Sequence, residues 1–127
     1  MIITKNFTTE EFEVTSTKLP NEIRSMGVIH NIVNLVRNVL QPARDELGDT
    51  IIITSGYRSP EVNKAVGGVE NSQHTRGQAA DIIAKDMKKL RNILEAKEFD
   101  QLIIYKNFIH VSWNEGKNRN QTIYKNI

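Results

Sequence analysis

Apolar and polar positions alternate with different periods along the chain, and each change of period predicts an element. From Ile23 to about Leu47 the apolar residues Val28, Ile29, Ile32, Val33, Leu35, Val36, Val39, Leu40 and Leu47 recur close to every 3.6 residues, which predicts an amphipathic helix. Asn21 is placed to cap it, Pro42 to bend or divide it, and Gly48-Asp49 to end it. Lys85 to Lys97 repeats the helical period, with Met87, Leu90, Ile93 and Leu94 as the buried stripe. Between these helices the pattern shortens. Thr50–Thr54 is a β-branched run and Gln78–Ile83 a second strand, with Ala79, Asp81 and Ile83 on one face and Ala80 and Ile82 on the other. Phe99–Tyr105 and Phe108–Trp113 predict an antiparallel hairpin joined through Lys106-Asn107. His110 and Ser112 then share a face, opposite Ile109 and Val111.

Shorter signals fill the gaps. Thr8 and Glu11 have capping-box spacing, so Phe7–Phe12 predicts a short helical start in which Phe7 and Phe12 pin the segment to the core. Ser59-Pro60 opens a short helix through Val66, Gly67-Gly68 ends it, and Val69 to Gly77 reads as loop. The tail is polar beyond Asn114 except at Ile123 and Tyr124, which suit an edge strand. The expected fold class is α+β, a small and mainly antiparallel sheet with helices packed on one side, and 127 residues suit one domain.

Composition narrows the function classes. A net charge of +2 is too small to argue for nucleic acid as a partner. No apolar run is long enough to predict a membrane span. Met1–Phe7 lacks a charged region followed by an apolar one, so no signal peptide is expected. The chain has no cysteine, so any metal must be held by nitrogen and oxygen.

Three side chains form such a donor set: His74 and Asp81 in the stretch from Ser72 to Ile83, and His110 in the strand from Phe108 to Trp113. Two imidazoles and a carboxylate suffice for a catalytic zinc, with a fourth position left for water. By spacing alone, His74 as a loop residue and Asp81 on a solvent-facing edge strand account for the pattern equally well. His110 among apolar neighbours favours the metal, although a single such histidine is more often a satisfied core residue. His30 lies in the long helix and is read as a surface or half-buried residue.

Ser55-Gly-Tyr-Arg-Ser59, then Ser72-x-His74-x-x-Gly77-x-Ala-Ala-Asp81, then His110-Val-Ser112 resembles the zinc D-Ala-D-Ala carboxypeptidases. That family includes the L-alanyl-D-glutamate endopeptidases of phage endolysins and has the hedgehog/DD-peptidase fold. The resemblance runs from about Phe7 to Trp113. It implies that His74, Asp81 and His110 ligate Zn2+, that Arg58 binds a substrate carboxylate or carbonyl, and that Ser72 lies at the substrate subsite. It implies hydrolysis of peptidoglycan peptides. With no signal peptide expected, cytoplasmic synthesis in a bacterial host fits, as for a phage or prophage enzyme delivered to the wall by other means. The family places a catalytic Glu or Asp shortly before the last histidine ligand. Here Ile103 to Ile109 contains no carboxylate, and Tyr105 or Asn107 occupies that region. A phenol is a poor base but can stabilise an oxyanion, so Tyr105 is the candidate acid/base residue. Asp100, upstream, is expected to lie too far from the metal, and Glu115 reaches it only if the chain folds back. Gln73 stands beside the site with no assigned role. The alternative to an enzyme is a zinc-binding module of the same fold that recognises cell-wall peptide or a protein partner.

Overall fold

A computed structural model of the chain describes residues 1–125. Its elements run β1 (Ile2–Thr4), β2 (Phe7–Thr8), α1 (Met26–Leu35), α2 (Gln41–Leu47), β3 (Ile52–Ser55), α3 (Pro60–Ala65), β4 (Ala79–Ile83), α4 (Met87–Glu95), β5 (Gln101–Ile104), β6 (Ile109–Ser112) and β7 (Gln121–Tyr124). Strands β1 and β2 form a small antiparallel ribbon, and the other five make one sheet in the order β3-β4-β6-β5-β7. The first three pairings of that sheet are antiparallel and the last, β5 with β7, is parallel. The fold is therefore α+β with a mainly antiparallel sheet, and Ile123 and Tyr124 do belong to an edge strand.

Alternation along the strands divides the sheet into two unlike faces. Ile53, Ala80, Ile82, Leu102, Ile109 and Val111 point into one core, where they meet Ile32, Leu35, Val39, Leu40, Leu90 and Leu94 from the long helices. The opposite face carries Asp81, paired in register with His110 on β6 and with Ser55 on β3. Strand β4 has a neighbour on each side, so Asp81 does not sit on an edge strand.

The long amphipathic segment forms, with two differences from its predicted boundaries. Its first helix starts at Met26 and is capped by Ser25, whose hydroxyl accepts from the Val28 N–H. Asn21 is not the cap. It is buried, donates to the Glu13 and Tyr57 carbonyls, and accepts from the Ser59 N–H at 2.7 Å. Its partners lie up to 38 residues away in sequence, so local spacing carried no sign of them. The helix then widens into a π turn over Val36–Leu40, with the Gln41 N–H bonded to the Val36 carbonyl. The wider turn accommodates Pro42, whose ring crowds the preceding turn and which donates no hydrogen bond. The capping box at Thr8 and Glu11 is present, but it opens a 3₁₀ turn over Glu10–Glu13.

The segment read as loop from Val69 to Gly77 contains a 3₁₀ turn, Gln73–Arg76, closed by Gly77 in the left-handed region at φ +74°. A Cβ on Gly77 would stand 2.7 Å from the Val28 carbonyl oxygen and 3.0 Å from Ile32. Gly77→Ala therefore combines a left-handed backbone penalty of about 1 kcal/mol with a backbone clash, for a loss on the order of 2 kcal/mol or more. A urea melt should show a clear fall in midpoint; an unchanged midpoint would mean that Gly77 is not held against α1.

Candidate metal centre and its cleft

Strand register brings Asp81 and His110 side by side, because they are direct partners across β4 and β6. His74 arrives from the 3₁₀ turn. Ser72 caps that turn by accepting from the His74 N–H, and the Thr75 hydroxyl donates to the Ser72 carbonyl. The potential ligand atoms of His74, Asp81 and His110 lie within 4.8 Å of one another. Asp81 Oδ1 is 2.9 Å from His110 Nδ1 and 3.4 Å from His74 Nε2. Those separations are close to the roughly 3.3 Å edge of a tetrahedron built on metal bonds of about 2.0 Å.

The protonation pattern suits a cation. His74 Nδ1 stands 2.7 Å from the Gly56 carbonyl oxygen, which can only accept, so Nδ1 carries the proton and donates it. His74 Nε2 then faces the Asp81 carboxylate at 3.4 Å, a pairing that needs a proton or a metal cation between the two atoms. Burial works to raise the Asp81 pKa, but hydrogen bonds from His110 and then His74 outweigh it and hold the carboxyl well below its usual range. The anion, the free Nε2 and the burial together make a donor set of the kind zinc takes.

Gly56, which supplies the orienting carbonyl, tolerates no side chain: a Cβ would lie 2.8 Å from the Phe12 Cα. Next to it, Arg58 is fixed in the cleft. Its Nε donates to Ser55 Oγ, its Nη1 to Asn63 Oδ1, and its Nη2 stands 3.6 Å from Asp81 Oδ2. Its side chain is 19% exposed, so it is a cleft residue and not a surface ion pair. Arg58, His74, Asp81, Tyr105, Phe108 and His110 line a cleft of about 450 Å³. Tyr105 stacks on Phe108 across the β5–β6 turn, with ring centroids 4.3 Å apart.

The structure thus brings five of the six sequence-predicted residues around one cleft: His74, Asp81, His110, Arg58 and Tyr105. Ser72 lines the adjoining cleft, where its buried hydroxyl caps the turn that carries His74. His30 is exposed on α1, within reach of Asn34, and takes no part in the cluster.

Two residues acquire a structural role that sequence reading did not find. Asp100 is 1% exposed, and both its carboxylate oxygens are occupied. Oδ1 accepts from the N–H and Nε of Arg119, and Oδ2 accepts from Arg119 Nη2 and from Gln73 Nε2. Gln73 precedes His74, so Asp100 ties the histidine-bearing turn to the segment entering β7. Neither Asp100 nor Glu115, which accepts from the Trp113 indole, lines the metal cleft. Among the described residues Asp81 is the only carboxylate there.

Burial works to raise the Asp100 pKa, but the hydrogen bonds from Arg119 and Gln73 prevail and leave it lowered in the folded chain. A depressed carboxylate stabilises the fold above its unfolded pKa, near 4, and that contribution is lost as pH falls through the lowered folded value. Thermal melts between pH 6 and pH 3 should therefore fall less steeply for Asp100→Asn than for the wild type, and the variant should be less stable at neutral pH by about 1–3 kcal/mol. Equal slopes would mean that Asp100 gains nothing from its partners on folding.

Comparison with known proteins agrees with this arrangement. The model of the family described as Peptidase M15 matches residues 5–112, which include Arg58, Ser72, His74, Asp81, Tyr105 and His110. A search of curated proteins found no match to the chain. The match extends over most of the chain and runs through all three clustered donors, and the chain belongs to the peptidase M15 family.

Proposed function

We propose that the chain is a zinc metallopeptidase that hydrolyses peptide bonds in the stem or cross-link peptides of bacterial peptidoglycan. The observation that carries this reading is the convergence of His74, Asp81 and His110 at the floor of an open cleft, with the Arg58 guanidinium beside them. Membership of the M15 peptidases, which are generally zinc-dependent, supports the choice of reaction and metal.

His74 Nε2, His110 Nδ1 and an Asp81 oxygen would hold the ion. The chemistry zinc supplies in such a set is polarisation of a carbonyl together with acidification of a water toward neutral pH. The rest belongs to the chain. Gly56 and Asp100 keep the His74 turn in place, the first through its carbonyl and the second through Gln73. Arg58 is already anchored by Ser55 and Asn63, so its planar fork can take a peptide carboxylate at little further entropic cost. The Tyr105 phenol, on a ring stacked on Phe108 in the lining of the same cleft, would donate to a developing oxyanion. The Ser72 hydroxyl accepts from the His74 N–H, which leaves its own O–H to meet substrate at the adjoining wall.

A second reading is favoured by one observation: the metal cleft contains no carboxylate besides Asp81 among the described residues. In that reading the chain keeps the metal and binds cell-wall peptide or a protein partner without cleaving it.

His110→Ala should lose stoichiometric zinc after dialysis, measured by atomic absorption, whereas Tyr105→Phe should keep it. Purified peptidoglycan and short L-Ala-D-Glu and D-Ala-D-Ala peptides should be cleaved by the zinc-loaded wild type and left intact by Asp81→Ala. Tyr105→Phe should slow cleavage by about a hundred- to a thousandfold, the scale of one oxyanion donor. A zinc-loaded wild type that leaves all substrates intact, beside a Tyr105→Glu variant that cuts them, would instead establish the binding module.

A further inference from the structure

The metal cleft does not end at His110 and Tyr105. Both residues also line a second, larger hollow of about 570 Å³, so the two adjoin. The far wall of this hollow is basic: Arg76 comes from the turn that carries His74, and Lys117 and Arg119 come from the segment between β6 and β7. The only carboxylate in that lining is Asp100, and it is already met by Arg119. Arg76 is held in position by neutral acceptors alone, Gln78 Oε1 at 2.9 Å and the Asn71 carbonyl at 3.0 Å. Among the described residues neither Arg76 nor Lys117 has an ion-pair partner. Lys125 stands close by, with Nζ 5.7 Å from the centre of the Tyr105 ring. The hollow therefore holds uncompensated positive charge beside the donor cluster.

Lys117 and Arg119 enter the sheet at a different edge from Arg58. Arg58 follows β3 at one edge, the donors on strands sit on β4 and β6, and Lys117 and Arg119 lead into β7 at the other edge. Lys117 and Arg119 lie beyond residue 112, where the family match ends.

Resting on the peptidase reading above, we propose that Arg76 and Lys117 form a second anion subsite, and that the chain takes peptides with a carboxylate on each side of the metal. Arg58 receives one, and the Arg76–Lys117 wall receives the other. Such a substrate lies across the strands, over Asp81 and His110, with the Tyr105–Phe108 stack beside it.

The test compares two fluorescently labelled tetrapeptides, L-Ala-γ-D-Glu-L-Lys-D-Ala and the same peptide with the D-Glu α-carboxylate converted to an amide. Binding to the zinc-loaded chain is read by fluorescence polarisation at low temperature. The wild type should bind the free acid about tenfold more tightly than the amide, the scale of one partly exposed charge contact in a cleft. Arg76→Gln/Lys117→Gln should weaken only the acid and so abolish the difference. Lys117→Glu, at an exposed position that leaves the fold intact, should make the acid the weaker ligand. Equal affinities in the wild type, no binding of either peptide, or a preference that survives the double substitution would overturn the subsite. Cleavage of peptidoglycan without any preference between the two peptides would sink the subsite and leave the peptidase reading standing. Preference without cleavage would do the reverse.

Discussion

A carboxylate on a strand paired along both edges has little access to water, and its charge must be answered from within the protein. Asp81 is in that position: 8% exposed, between β3 and β6, with an imidazole from each of two other segments turned toward it. Much of the surrounding structure follows from this requirement. Register fixes His110 directly opposite. The 3₁₀ turn, its Ser72 cap and its left-handed Gly77 deliver His74. The Gly56 carbonyl selects the tautomer that leaves a lone pair facing the carboxylate. A proton or a metal cation between the imidazole and the carboxylate completes the pairing.

The supports reach well beyond the donors. Phe12, in the first 3₁₀ turn, packs where any side chain on Gly56 would stand and accepts a backbone hydrogen bond from Tyr57. Asn21 holds both ends of the following loop through the Tyr57 carbonyl and the Ser59 N–H. Asp100 joins the His74 turn to the chain entering β7 through Gln73 and Arg119. The chain thus holds three donors from three segments without a disulfide, because buried, paired polar groups such as Asn21 and Asp100 tie the segments around them.

How much of this was legible in the sequence depended on whether the partner was local. Period-2 alternation correctly put Ala79 and Asp81 on one face of β4, and His110 and Ser112 on one face of β6, since strand geometry is set within a few residues. The two-residue turn at Lys106-Asn107 and the amphipathic stripe of α4 were legible for the same reason. The helical segment ending at Leu47 was found, but its start was not, because Asn21 looks like a cap locally and is occupied by Ser59. Gln73 and Asp100 are separated by 27 residues, and no pattern in either stretch joins them. The metal triad itself was readable mainly through its combined motif, which a spacing argument could not have separated from a loop histidine and an edge aspartate.

The departure at Tyr105 sits inside an otherwise consistent site, on the hairpin turn where an acid would be expected, and its ring is fixed by Phe108. The catalytic and binding-only readings share the metal and divide only on proton transfer, so the claim beneath both is the ligand set. It is tested most directly by a crystal structure of the zinc-loaded chain with anomalous data collected on both sides of the zinc edge. The account predicts one strong anomalous peak bonded to His74 Nε2, His110 Nδ1 and an Asp81 oxygen. A peak elsewhere, or none at the triad with zinc present in excess, would contradict it.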